Sequence, residues 1–292
     1  MSTGNGPRAL PRRTLLRGAA ATGLVTLTGC GPDGASTSFQ SAQRTGSIKV
    51  GFANEAPYGF LDETGRLTGE APEVARAVLR KFGITELEGV LADFRQLIPG
   101  LKANRYAFVA AGMFINPSRC ADAAFSIPDY QVESAFLVPK GNPKGITRFT
   151  DIPDTDALIA VLTGAVELGY AVEAGVPEEQ VVTLGDQDSV FRAVREARVY
   201  GAAVLDTTAA WLLEQNPGSG LEKTEPFRHE SEPGIGAFTF PRGATDFVEA
   251  FNTELRKLKE SGEWLRIVEP FGFSERNVPP PDVTTDQLCG DA

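Results

Sequence analysis

Between Ser47 and Ala111, short apolar runs alternate with helical patterns, and the same alternation begins again at Ala157. Ser47–Ala53 (SIKVGFA) reads as a strand, and Leu61–Gly69 as two short strands around the turn Asp62-Glu63-Thr64-Gly65. Val74, Val78, Leu79 and Phe82 share one helix face, which Gly83 ends. Leu87–Leu91 is a strand, Phe94–Leu101 a helix capped by Asp93, and Tyr106–Ala111 a buried strand. The second run places strands at Ala157–Thr163, Gln180–Leu184 and Tyr200–Leu205. Its helices start near Gly164, Ser189 and Thr207. Parallel strands need a long return connection, usually a helix, so this order predicts a mostly parallel sheet. Two such runs in 292 residues predict two α/β lobes.

The Pro- and Gly-rich stretches Pro139–Gly145 (PKGNPKG) and Phe240–Gly243 (FPRG) read as two crossings between the lobes. They divide the chain into a first lobe of residues 47–139 plus 241–273 and a second of 140–240. Thr245–Glu260 is the clearest helix, with Phe247, Val248, Phe251, Leu255 and Leu258 on one face. Residues 274–292 contain Pro279-Pro280-Pro281 and read as a C-terminal tail.

Residues 1–29 carry Arg8, Arg12, Arg13 and Arg17, no acid, and the apolar run Gly18–Leu27 before Cys30. A basic start, a short apolar region and small residues make a secretory signal. LTGC resembles a bacterial lipobox, in which Cys30 is acylated, for instance by palmitate, and begins the mature chain. The pair Arg12-Arg13 resembles a twin-arginine export signal. Residues 30–46, rich in Gly, Ser and Thr, read as a flexible tether.

Four of the 28 basic residues lie in the signal. The mature chain keeps 24 against 38 acids, a net charge of −14. That balance argues against a nucleic-acid partner, which calls for a basic patch. With Cys30 assigned to a lipid, Cys120 and Cys289 form an even pair in an oxidising compartment and are candidates for a disulfide. No Cys/His spacing suits a metal, and no cofactor motif is present. His229, the single histidine, reads as a solvated loop or strand residue.

The richest candidate site is Ala110–Arg119 (AAGMFINPSR), at the end of a buried strand. Gly112 lets a ligand approach the backbone, Phe114 offers a ring, and Arg119 offers a planar fork for a carboxylate.

The lipobox, the tether, the two lobes and the helical finish resemble the solute-binding proteins of bacterial ABC importers, over residues 47–273. VGFANEAPYGFLDETGRLTGEAPEVARAVLRKFG, VAAGMFINPSRC and AFLVPKGNP resemble its polar amino-acid branch. Within that branch, NEAPY with GMFINPSR is most similar to ectoine/hydroxyectoine binders. The resemblance implies a two-lobed periplasmic-binding-protein fold. It further implies a monomer outside the cytoplasm that closes on a small zwitterion and hands it to a membrane permease.

It also implies first-lobe ligand contacts at Glu55, Tyr58, Phe94, Phe114 and Arg119. The three rings would box a flat cation, with Glu55 on its N–H groups and Arg119 on the carboxylate, helped by backbone near Gly112. In the second lobe it implies Val166 and Glu167 at a strand-to-helix corner, and Asp206 as the acid that amino-acid binders use for an amine. Tyr58 and Phe94 exchange the hydroxyl expected between them, and Val166 replaces a hydroxyl residue. That leaves three ligand readings: ectoine, hydroxyectoine or a polar amino acid. A dehydratase on the same fold is a remote alternative, because no nucleophile–base pair is visible. The structural alternatives are core aromatics at Tyr58 and Phe94, a solvated loop acid at Glu55, an ion pair of Arg119 with Asp122 or another acid, a helix-cap role for Asp206, and a first-turn acid role for Glu167.

Overall fold

The computed structural model describes residues 37–229 and 234–290. The predicted signal, Cys30 and residues 30–36 of the tether lie outside the described residues. Two sheets carry the fold. The first runs Glu86–Leu91, Ser47–Phe52, Phe108–Phe114, Ile235–Phe240 and Ala124–Phe125; Tyr130–Gln131 also pairs with Ile235–Phe240. The second runs Val181–Leu184, Ile159–Leu162, Gly201–Leu205, Ser134–Pro139 and Leu221–Lys223. In each sheet the first three strands are parallel and the fourth is antiparallel to its neighbours. Short strands Phe60–Leu61 and Leu67–Thr68 form the predicted hairpin.

The crossings lie elsewhere than predicted. Ser134–Pro139 belongs to the second sheet, where Leu137 pairs with Ala202, and Ile235–Phe240 belongs to the first, where Ala237 pairs with Met113. The chain therefore changes lobes at Val132–Glu133 and again between Lys223 and Ile235. PKGNPKG and FPRG are the turns at the far ends of those two strands. Proline and glycine mark where a strand stops, and strand pairing decides which lobe owns it. The crossings run side by side: Val132 N–H donates to Gly234 O at 2.9 Å and Phe227 N–H to Ser134 O at 2.8 Å.

Helix Thr245–Glu260 forms as predicted and buries Phe247, Phe251, Leu255 and Leu258. Their ring neighbours come from the returning strand: Phe238–Phe251 at 4.7 Å and Phe240–Phe247 at 5.0 Å between centroids. Aromatic pairs at such spacing add to the stabilisation from burial alone. A buried polar cluster lies beside this core. Trp264 Nε1–H donates to Asp129 Oδ1 at 2.8 Å, and Lys259 Nζ sits 4.6 Å over the Trp264 ring. Burial and the neighbouring Asp129 push the Glu70 carboxyl well above its ordinary range.

Two segments predicted as loose are docked. Phe39–Thr45, assigned to the tether, is a helix capped by Ser38, and Phe39 stacks on Phe247 at 4.3 Å. The predicted tail packs on the first lobe. Asn277 is buried, Thr285 Oγ1–H donates to Ser126 O at 2.7 Å, and helix Thr285–Cys289 ends in a Cys120–Cys289 disulfide, with Cα atoms 5.6 Å apart. Its 169-residue separation restricts the unfolded chain strongly. Replacing both cysteines by serine is expected to cost about 2–5 kcal/mol, measured as a lower urea midpoint with little change in slope.

Candidate functional site

The loop after strand Ser47–Phe52 closes on itself. Glu55 N–H donates to Gly59 O at 2.9 Å, Gly59 N–H to Glu55 O at 3.0 Å, and Leu61 N–H to Asn54 Oδ1 at 2.9 Å. This turn leaves Glu55 half-buried at the cleft and sends Tyr58 fully inside. Gly112 makes room for that ring. Its φ is +63°, and a Cβ there would lie 2.4 Å from Tyr58 Cδ1. Tyr130 O–H donates to Gly112 O at 2.6 Å, and its ring lies 5.2 Å from Tyr58 and 6.5 Å from Phe114. Tyr130, absent from the sequence reading, thus stands between two of the three predicted box residues.

The third box residue, Phe94, faces Arg119, whose Cζ lies 5.4 Å from the ring centroid. Arg119 Nη1–H donates to Phe114 O at 2.9 Å and Nη2–H to Gly164 O at 3.2 Å. The second bond crosses from one lobe to the other. Asp122, the alternative partner for Arg119, pairs with Lys102 at 2.6 Å.

Further contacts show the lobes closed on each other. The hydroxyls of Tyr58 and Thr207 lie 2.6 Å apart, and Gln187 Nε2–H donates to Ala56 O at 2.8 Å. Phe60 meets Trp211 at 5.5 Å, and Trp211 meets Phe271 at 6.4 Å. The apolar clusters also span the lobes: Leu205 joins Tyr58 and Phe114, and Leu162 joins Phe94.

Between the lobes lies a small cavity of about 20 Å³, bounded by Glu55, Ala165, Glu167, Gln187, Leu205 and Thr208. In this closed form that is roughly the room one ordered water needs. A larger surface groove, between helix Thr245–Glu260 and the triple proline, shares no lining residue with this cavity. Glu167 is buried. The Glu55 pKa is raised from 4.5 to about 8, mainly by burial and then by Glu167, with Arg119 partly opposing. Glu55 therefore stays largely protonated at neutral pH.

Of the predicted residues, Glu55 and Glu167 share the cavity, and Arg119 is close enough to Glu55 to lower its pKa. Val166 precedes helix Glu167–Glu173 and packs against the cores of both lobes. Asp206 is placed differently. Its Oδ2 lies 3.0 Å from Arg276 Nη2, and its Oδ1 accepts from Glu133 N–H at 3.4 Å. The segment after Phe273 folds back over the hinge and supplies that arginine. Instead of being solvated, His229 stacks on Tyr170 at 3.8 Å.

A model of the bacterial extracellular solute-binding proteins, family 3, matches residues 48–274. The chain belongs to that family. A "Probable amino-acid ABC transporter periplasmic-binding protein" of Sinorhizobium fredii is 32% identical over 86% of this chain and 85% of its own. The "Lysine/arginine/ornithine-binding periplasmic protein" of Escherichia coli is 25% identical over 74% of this chain and 83% of its own. Among solved structures, the hydroxyectoine complex of EhuB superposes with a TM-score of 0.78. It is 31% identical, covering 87% of this chain and 98% of that one. The family-3 chain described here is thus a solute-binding protein of an amino-acid-type ABC transporter, with the two-lobed fold of its relatives, and not an enzyme. Among the described residues no helix is long and apolar enough to cross a membrane.

Sequence reasoning missed Tyr130, Gln187, Thr207 and Thr208 at this cleft. A signal existed for the last three. They lie just beyond the carboxyl ends of parallel strands, where open α/β sheets bind their ligands. Because the folded Glu55 binds its proton more tightly than the unfolded chain does, its contribution to stability is complete below pH 4.5. That contribution is lost as pH rises through about 8. Melting temperature should fall across that window in the ligand-free protein, and Glu55→Gln should flatten the fall; an unchanged slope would place the raised carboxyl elsewhere.

Proposed function

We propose that this family member captures ectoine or hydroxyectoine outside the cytoplasm. It is held at the membrane as a monomer by an acylated Cys30 and delivers its ligand to an ABC permease. Ectoine is a small zwitterion with a delocalised amidinium and a carboxylate. The observation that carries this reading is Glu55 turned into the cleft beside Glu167, with Arg119 braced on Phe94 close by. Glu55 takes the ring N–H groups of the amidinium. Arg119 exchanges a backbone carbonyl for the ligand carboxylate, a bidentate contact. Tyr58 and Phe114, both against Tyr130, form the apolar wall. The similarity to the hydroxyectoine-bound neighbour supports the same ligand class.

A polar amino acid with a cationic side chain is the second reading. Two acids on one cavity favour it, as does similarity to a lysine/arginine/ornithine binder. Asp206 holds the amine in that reading only if Arg276 gives it up.

Melting curves with ectoine, hydroxyectoine, glycine betaine, arginine and lysine separate the two, because a ligand that binds only the folded state raises the transition. Ectoine or hydroxyectoine should give the largest rise; stabilisation by arginine and lysine alone would transfer the assignment to the second reading. Arg119→Ala should weaken binding by about 10- to 100-fold, the loss of a charge-assisted hydrogen bond, with the ligand-free fold retained by circular dichroism. A bound cation favours ionised Glu55, so binding releases a proton and tightens as pH rises from 6 toward about 8. Calorimetry in buffers of different ionisation enthalpy measures that proton directly.

A further inference from the structure

Two second-lobe side chains share the cavity with Glu55 and Glu167 and have no role in the reading above. Gln187 opens helix Gln187–Arg195 and is 6% exposed; Thr208 lies in the first turn of helix Asp206–Gln215 and is 1% exposed. Gln187 Nε2–H is committed to Ala56 O at 2.8 Å, which fixes the amide, because flipping it would set two oxygens face to face. Its Oε1 is then left buried and makes no hydrogen bond among the described residues. The Thr208 hydroxyl is likewise buried without a hydrogen bond among the described residues, whereas that of Thr207 meets Tyr58. Buried polar atoms are normally paired, and those aimed into a binding cavity are paired by what binds there.

We propose that Gln187 and Thr208 are the specificity-determining residues of the second lobe. Their oxygens accept hydrogen bonds from the ligand's cationic end, so the site selects cations that carry N–H groups. The inference rests on the solute-binding reading of this cleft and deepens it. With Glu55 and Glu167, these residues line the cavity with acceptors from four side chains, drawn from both lobes. An amidinium, guanidinium or primary ammonium donates to several of them at once. A quaternary ammonium of similar size and charge has no N–H and leaves Gln187 Oε1 unpaired, and a site built on hydrogen bonds strongly rejects such an analogue. Gln187 also couples recognition to closure. Its amide N–H holds the first-lobe loop next to Glu55 while its oxygen faces the ligand.

The test titrates wild type, Gln187→Met, Thr208→Val and Thr208→Ser with ectoine, arginine and glycine betaine by calorimetry. Ligand-free melting temperatures are recorded alongside. Wild type should bind ectoine or arginine and give no heat with glycine betaine. Gln187→Met and Thr208→Val should each lose about tenfold or more in affinity for the bound solute. Thr208→Val should do so at unchanged or higher ligand-free melting temperature, because it removes only an unpaired buried oxygen, whereas Gln187→Met also gives up the bond to Ala56 O and should melt lower. Thr208→Ser keeps the hydroxyl and should retain wild-type affinity. If Gln187→Met does not fold, the two Thr208 variants decide. Variants that bind within twofold of wild type overturn this inference and leave the solute-binding reading intact. Glycine betaine affinity within tenfold of ectoine overturns the N–H selectivity. A wild type that binds neither ectoine nor arginine overturns both readings.

Discussion

The structure depends on where two strands change sheets. Ser134–Pro139 pairs with the second sheet as soon as the chain has crossed, and Ile235–Phe240 returns to the first. Each sheet is thus completed by an antiparallel strand that adjoins a crossing. At their described residues the crossings are hydrogen-bonded to each other, Val132 to Gly234 and Phe227 to Ser134. Two rigid cores joined by so little chain have few ways to move except about that line, which is how hinge-closing proteins behave. Strand tips and helix starts then face one another across the cleft, and every residue of the candidate site sits on such a tip.

The electrostatics of the cleft follow from closure. Glu55 and Glu167 belong to different lobes and come into one cavity only when the lobes meet. Burial and mutual repulsion raise the Glu55 pKa, and Arg119 offsets only part of this. In this closed form Arg119 spends its donors on the carbonyls of Phe114 and Gly164. The proposed zwitterion would resolve both conditions at once, with a cation for the acids and an anion for the guanidinium.

Much of this was legible from the amino-acid order. Helix Thr245–Glu260 matches its predicted limits because five apolar residues recur on one face, and the parallel strands stand out as short apolar runs. Lobe ownership was not legible, because Ser134–Pro139 looks the same whichever sheet it joins and its partners are distant in sequence. The docked ends were hidden for a related reason: Phe39 and Thr285 find their partners more than 150 residues away. At the site, residue type pointed to Glu55 and Arg119, whereas Asp206 depended on Arg276, which no local pattern ties to it. Gln187 and Thr208 are ordinary polar residues at helix starts, and only their burial beside two acids distinguishes them.

The contact of Trp211 with Phe60 and Phe271 has a spectroscopic consequence. The chain holds two tryptophans, and the other, Trp264, is sealed in the first lobe and hydrogen-bonded to Asp129. Trp211 belongs to the second lobe and touches rings of the first, so parting the halves would hydrate one indole and leave the other dry. The molecule therefore carries its own optical gauge of the hinge angle, readable without any attached dye.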